Sequence, residues 1–503
     1  MRAHIDPKCG SVSRSFWKDT VDSRDTIAPG KWAGVREVVS MAGPIMLGSV
    51  SFAFMEFINK IFVGQLGTEH LAAIGAASIW SYTLGVFFLG IAACVSTFAS
   101  QCLGRGDVES CSRYAWQGVY VSIASGTCAM LMWPLSRTLF ELMNHGPVVT
   151  ELELTYFRIR LISCGFVAWQ ASLAGFFQAT RRPVIPMAAA IVGDLLNVLL
   201  DYLLIFGHYG FPRLGIAGAA IATVTSLLIQ TAIMQAVFLS APIDRGYGSR
   251  KTYRLDISKF RELFRIGWPS GVSNLLDIMG WALFTSFLIG HFGQVALAGH
   301  NGAITFMHLS FIPALGLSQA ATAIVGRWIG KGEIAIAKSR AYTATIVGIV
   351  VMGTVGIFMG VNGRHLIPFL SKDPAVIDIG TKLLILAAIF AAFDAINIVL
   401  IGALRGAGDT RWIMYVLTIG AYCFYIPLGW FFAVPLELGA VGAWLGATIY
   451  VIGLSALVFA RFRSEAWRSI NIFGPGETPE QPVEAAMGTL PHQLELERSE
   501  LAP

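Results

Sequence analysis

Residues 67–107 read GTEHLAAIGAASIWSYTLGVFFLGIAACVSTFASQCLGRGD, and residues 293–333 read GQVALAGHNGAITFMHLSFIPALGLSQAATAIVGRWIGKGE. The two stretches align without a gap. Gly67, Leu71, Ala72 and Ala77 meet Gly293, Leu297, Ala298 and Ala303. Leu89, Gly90, Gly104 and Gly106 meet Leu315, Gly316, Gly330 and Gly332, and Asp107 meets Glu333. Toward the end of each half, LGIAGAAIAT (214–223) echoes LGAVGAWLGA (438–447). The chain therefore reads as one plan used twice.

Each copy is a long apolar run closed by a short basic break, and such runs fill the sequence. Twelve of about 20 or more residues recur, near 36–63, 73–101, 114–140, 153–179, 186–207, 215–240, 264–290, 295–326, 341–369, 376–403, 411–434 and 438–462. The 503 residues are 55% hydrophobic and 13% charged, with a mean hydropathy of +0.64. A soluble domain could not cover that apolar surface with so few charges, whereas lipid solvates it directly. Ten-residue alternation is lacking, which excludes a membrane barrel. Residues 1–34 are polar, mix both signs and lack the apolar core of a secretory signal. The seven Cys are scattered without metal or redox spacing. The expectation is an all-α polytopic protein of twelve transmembrane helices in two six-helix parallel repeats.

Lys and Arg set the orientation. The breaks after spans 2, 4, 6, 8 and 10 hold Arg105 and Arg113, Arg181 and Arg182, a basic run from Arg245 to Arg265, Arg327 to Arg340, and Arg405 and Arg411. Breaks on the other side hold few. Both termini are expected to face the cytoplasm of an inner or plasma membrane. The expected organisation is a polar tail (1–34), a six-helix lobe (35–241), a basic cytoplasmic linker (242–263), a second six-helix lobe (264–465) and a disordered acidic tail (466–503). Two halves that start on the same side are related by an axis along the membrane normal, an arrangement in which transporters place the substrate path between the halves.

Ionisable side chains inside the spans are the informative exceptions, because each carries a penalty of about 2.5–3.5 kcal/mol at a helix centre. Glu56, Lys60, Asp194, Asp201, Asp277 and Asp394 are six of them. Asp194, Asn197 and Asp201 are spaced 0, 3 and 7, so they share one helix face. That polar stripe must turn toward protein or a wet cavity, where grouped carboxylates could exchange a proton or ligate Na⁺. Interhelical hydrogen bonding is the plainer alternative. Asn397 stands one turn from Asp394, and Asn274 three residues before Asp277. Trp80, Trp169 and Trp281 are candidates for a cavity wall or for ordinary packing. His300 and His308 could relay protons or serve structure. The expectation is that these groups line one hydrated chamber between the lobes. No nucleotide-binding, hydrolase or metal-cluster motif is present, so the chain does not read as an enzyme and needs no cofactor.

Several segments resemble the multidrug and toxic compound extrusion (MATE) family. VGQLGTEHLAAIG (63–75), residues 296–333, FDAINIVLIGALRGAGDT (393–410), and NVLLDYLLIFG (197–207) with GIAGAAIAT (215–223) follow its motifs in order, across about 36–462. The resemblance implies a V-shaped bundle of two lobes that exports organic cations or amphiphilic drugs in exchange for H⁺ or Na⁺. It places Asn197 and Asp201 on the first lobe's ion-coupling Asn and Asp, and Thr223 on their companion Thr. Asp277 falls near a seventh-span acid of Na⁺-coupled members and Asp394 on their tenth-span Asp, which makes this pair the candidate Na⁺ site. The family's first span carries an Asp where this chain has Asn59. Glu56, one turn away, is expected to stand in for it, with Lys60 paired to Glu56 or Asp201 and disfavouring Na⁺. The alternative is a Glu56–Lys60 pair with Lys60 reaching the outer surface. Lys60, Asp194, Trp281, His300 and Asn397 are the candidate cavity residues.

The function so implied is antiport by alternating access, by a monomer that handles small molecules among membrane lipids and has no nucleic-acid partner. Two alternatives stay open. A flippase for lipid-linked saccharides would want a strongly cationic cavity, and a non-transporting scaffold would tolerate loss of Asp201 and Asp394.

Overall fold

The computed structural model describes residues 31–143 and 145–473, and every regular element among them is helical. Hydrocarbon offers the backbone no partner, so each apolar run closes its own hydrogen bonds as a helix. The first half comprises α1 (Lys31–Gly64), α2 (Thr68–Ala93, continued by Val95–Arg105), α3 (Val108–Leu131), α4 (Pro147–Leu161, continued by Ser163–Ala179), α5 (Val184–Phe206) and α6 (Ile216–Phe238). The second comprises α7 (Ile257–Leu283), α8 (Gly293–Gly330), α9 (Ile334–Val361), α10 (Pro374–Ala407), α11 (Thr410–Ile419 and Ile426–Ala433) and α12 (Gly439–Arg463).

The apolar helical run from Ile257 to Gly330 is 74 residues long, roughly 110 Å if straight, several times a bilayer's hydrocarbon thickness. It folds back at Gly293, whose φ is +84°. Thr285 Oγ1 consequently lies 3.0 Å from His300 Nε2. The run is thus two spans, α7 and α8. Large apolar side chains such as Phe57, Leu195, Ile357 and Val361 remain exposed, and lipid is the solvent that accommodates them. The protein is an integral, multi-pass membrane protein.

The repeated glycines have identifiable tasks. Gly106 and Gly332 hold φ of +82° and +80° at matching turns, a conformation that costs side-chain-bearing residues energy. Gly90 and Gly316 let helices approach closely. A Cβ on Gly90 of α2 would stand 2.7 Å from Gly271 Cα of α7, and one on Gly316 of α8 would stand 2.6 Å from Met46 Cγ of α1. The lobes thus pack α2 on α7 and α8 on α1, as a two-fold repeat requires. Gly104 and Gly330 meet each other, with a Cβ on Gly104 falling 2.7 Å from Gly330 Cα.

These contacts gather on the Arg-rich side. Thr97 Oγ1 donates to the Arg405 carbonyl at 2.9 Å, Gln101 Nε2 to the Gly406 carbonyl at 2.9 Å, and Gln178 Nε2 to Gln319 Oε1 at 2.8 Å. Glu37 of α1 adds ion pairs to Arg327 and Arg340 of the second lobe. The opposite halves of the lobes are joined by no hydrogen bond or ion pair among the described residues. The polar contacts between the lobes, among the described residues, therefore gather at the Arg-rich face.

Several boundaries differ from the expected ones. α1 begins at Lys31, inside the expected tail, and α7 begins at Ile257, inside the expected linker. The reason at α7 is a cap: Asp256 accepts from the Ser258 and Lys259 amides at 3.0 and 3.2 Å. What precedes it docks on α3, with Ser112 Oγ donating to the Tyr247 carbonyl at 2.6 Å and Trp116 Nε1 to the Ser249 carbonyl at 2.8 Å. α3 ends at Leu131, and a short helix (Ser136–Glu141) follows. After α12, Trp467 stacks on Phe462 at 5.3 Å. The expected disorder of the C-terminal tail falls mainly on 474–503, and most of the N-terminal tail on 1–30; both ranges lie outside the described residues.

Candidate functional site

The acidic side chains fall into two groups, one per lobe, and no hydrogen bond or ion pair joins the groups among the described residues. The single chamber expected from sequence would have to span both groups. The polar stripe of α5 packs against α1 and α6 of its own lobe.

In the first lobe, Asp194, Asn197 and Asp201 are 3%, 0% and 0% exposed. Asp194 is held at both oxygens, accepting from Ser51 Oγ at 2.7 Å and Gln230 Nε2 at 3.2 Å. One turn along the same face, the Asn197 amide is oriented by its neighbours. Its nitrogen stands 3.0 Å from Asn59 Oδ1 and 3.1 Å from Asp201 Oδ2, and its oxygen accepts from the Thr223 amide at 3.1 Å. Thr223 Oγ1 donates to the Ala219 carbonyl at 3.0 Å. Asp201 Oδ1 is buried and has no hydrogen-bond partner within the protein. Asn59, Asn197, Asp201 and Thr223 are thus brought together, which helical spacing within α5 could not show for the residues on α1 and α6.

Glu56 is half-buried and lies in electrostatic range of both Asp194 and Asp201. Lys60 departs from its expected place. It is exposed and forms no ion pair with Glu56 or Asp201, and it lies in electrostatic range of His308 of α8. Spacing of 0 and 4 puts Glu56 and Lys60 on one side of α1, but a long flexible side chain can turn outward from that side. No ion pair of Lys60 supports the expected exclusion of Na⁺ from this site. Lys60→Gln is accordingly expected to change stability by no more than about 0.5 kcal/mol, measured by thermal unfolding in detergent. A loss several times larger would mean that Lys60 neutralises a buried partner.

In the second lobe, Asp277 of α7 is exposed, Asp394 of α10 is buried, and the two lie in electrostatic range of one another. Arg405 lies in range of Asp277 and donates to Asn274 Oδ1 at 3.1 Å. Tyr425 and Tyr450 stand around the acids, and Tyr82 of α2 approaches Asp277 from the other lobe. Asn397 Nδ2 is 3.4 Å from the Val451 carbonyl, and its Oδ1 is buried without a partner. Among the described residues no three His, Cys, Asp or Glu side chains cluster as metal ligands.

The other candidates are packed. Trp281 packs edge-on and tilted among Phe284, Phe390 and Tyr425 at ring separations of 5.8–6.3 Å. Trp169 Nε1 donates to Gln235 Oε1 at 3.0 Å, and Trp80 packs against the first lobe's core. His300 is 0% exposed. Its Nδ1 accepts from Trp444 Nε1 at 3.0 Å, which leaves the proton on Nε2 to reach Thr285 Oγ1, also at 3.0 Å. Both nitrogens are occupied inside an aromatic wall, so His300 belongs to the core of the second lobe.

Sequence reading missed Glu37, Ser51 and Gln230. An acid in α1 on the face whose breaks are Arg-rich was the available signal for Glu37. Ser51 and Gln230 carry no such mark.

Comparison with known proteins follows the same outline. The MatE family model matches residues 44–203 and 269–431. A probable multidrug resistance protein NorM of Thermotoga maritima is 27% identical, covering 86% of this chain and 93% of that protein. Another of that description, from Rhizobium meliloti, is 31% identical over 79% of this chain and 86% of its own length. A solved MOP superfamily transporter from Pyrococcus furiosus superposes with a TM-score of 0.81 at 19% identity, covering 87% of this chain and 97% of that one. That last likeness is one of fold.

Proposed function

This chain belongs to the MatE family, and from that premise we propose that it is a secondary antiporter exporting organic cations or amphiphilic drugs in exchange for H⁺ or Na⁺. It is a membrane transporter and not an enzyme. In this reading the Arg-rich face is cytoplasmic, both termini lie on that side of the plasma membrane, and the protein works as a monomer. The Arg-rich face, joined by the inter-lobe contacts, is then the cytoplasmic barrier of the bundle.

The observation that carries the reading is Asp201. A carboxylate wholly inside a membrane helix bundle, with one oxygen on Asn197 and the other without a protein partner, is an unfinished coordination shell. A proton or a small cation completes it, and Asn59, Asn197 and Thr223 supply neutral oxygens or amides around it. Neutralising Asp201 lowers the penalty for packing α1, α5 and α6 dry, so the ion-bound and ion-free lobes favour different arrangements. Coupling follows when substrate and ion bind those arrangements with different affinities. In the second lobe, Asp277 and Asp394 beside Tyr425 and Tyr450 provide negative charge and aromatic faces suited to an organic cation, or carboxylates suited to Na⁺. Glu56 serves as a second charge near Asp201.

Purified protein in proteoliposomes tests this. An imposed H⁺ or Na⁺ gradient, each applied alone, is expected to drive movement of a fluorescent organic cation against its concentration. Movement indifferent to both gradients rejects antiport.

A further inference from the structure

Glu37 is 4% exposed and sits on α1 where the two lobes meet at the Arg-rich face. Its Oε2 accepts from Arg340 Nε at 2.9 Å. Its Oε1 accepts from Arg327 Nη2 and from Trp328 Nε1 at 3.3 Å, and Arg181 Nη2 stands 3.6 Å from the same oxygen. Arg327 and Arg340, on α8 and α9, are 4% and 7% exposed. Arg181 belongs to Glu37's own lobe, in the turn between α4 and α5. One turn before Glu37, Gly34 clears the approach: a Cβ there would lie 2.4 Å from Arg340 Nη1.

We infer that Glu37 is the latch that holds the lobes together at this face, and that releasing Arg327 and Arg340 from it is a required step of the transport cycle. The charge balance gives the reason. Three guanidinium groups converge on this one carboxylate, and the Glu37 charge is what draws them to a single point. Two of the three come from the opposite lobe and are almost fully desolvated. Removing one partner of a buried ion pair is strongly unfavourable because the remaining charge stays buried. Here the chain has an escape: parting the lobes returns Arg327 and Arg340 to water. The inter-lobe hydrogen bonds of Thr97, Gln101 and Gln178 are neutral, and water replaces such bonds at small net loss. Tyr114 of α3 also donates to Glu262 of α7 at this face; among the contacts made by α8 and α9, the ionic one at Glu37 weighs most in the balance between the closed and parted face. The inference deepens the alternating-access reading, since that mechanism needs this face to open.

The test is the distance between spin labels on Val108→Cys and Ala335→Cys in the full-length chain in lipid nanodiscs, with Cys9, Cys128 and Cys423 changed to Ser. Val108 and Ala335 are exposed, and each lies in a different lobe at the Arg-rich face. The parent is expected to give mainly one short distance. Glu37→Gln is expected to shift the closed-to-parted ratio about 100-fold toward a longer distance, and Arg340→Gln to shift it the same way. Glu37→Asp retains the charge and most of the short distance. Arg181→Gln, within Glu37's own lobe, leaves the distance as in the parent. If Glu37→Gln is not recovered as a monodisperse protein, Arg340→Gln carries the test alone. A short distance unchanged in every folded variant of Glu37→Gln and Arg340→Gln overturns the latch. The measurement uses no gradient and no cargo, so failed export in the vesicle assay would reject antiport while leaving the latch standing.

Discussion

Asp201→Asn is expected to uncouple export from its driving gradient without unfolding the protein. Coupling free energies of about 1–3 kcal/mol correspond to roughly 5–150-fold effects, so gradient-driven export in proteoliposomes should fall by about 100-fold. The fold should survive because Asn reproduces the shape of Asp, and its oxygen can still accept from Asn197, which stands 3.1 Å from Asp201 Oδ2. Asp201 Oδ1 has no partner to lose. Removing a desolvated charge that is satisfied at one oxygen relieves a penalty, and the thermal unfolding midpoint should therefore stay level or rise. A midpoint falling with activity would mean that Asp201 acts as a structural bond. Full gradient-driven export by a stable Asp201→Asn protein would remove Asp201 from the coupling path and leave Glu56, Asp277 and Asp394 to carry it.

The contrast between Asp201 and Glu37 shows what the sequence could reveal. Asp194, Asn197 and Asp201 are readable because their spacing is local: three residues of one helix share a face whatever the helix packs against. The two-lobe plan is readable because the glycines of 67–107 and 293–333 repeat, and the structure gives them repeated backbone tasks. Across helices, periodicity is silent. It places Glu56 and Lys60 on one side of α1 but says nothing about which way a lysine extends, and Lys60 is exposed with no ion pair to Glu56. Glu37 stands beside Arg36 at the start of a span, where a charge is unremarked. Its importance comes from Arg327 and Arg340, about three hundred residues later in the chain, and no local pattern brings them together. The separation of the acids into two groups escaped notice for the same reason, since it depends on which neighbours each stripe meets.

Trp444→Ala is expected to be the most destabilising single change in the second lobe, by about 3–5 kcal/mol. Trp444 is 1% exposed and packs against His300 and Phe390 at ring separations of 5.7 and 6.3 Å. Truncation leaves a cavity and also removes the donor to His300 Nδ1. Trp444→Phe separates the two effects: it keeps most of the volume and loses the indole N–H, leaving a buried acceptor unpaired at a penalty of about 1–3 kcal/mol. Thermal unfolding in detergent measures both. The same pair of variants decides what His300 does. A histidine whose two nitrogens are engaged by Trp444 and Thr285 has no site at which to pick up a transported proton without breaking one of those bonds. Export per folded molecule should therefore remain gradient-driven in Trp444→Phe even as the protein melts earlier. Loss of H⁺-driven export at unchanged stability, with Na⁺-driven export intact, would instead make His300 part of a proton path that the hydrogen bond from Trp444 keeps in register.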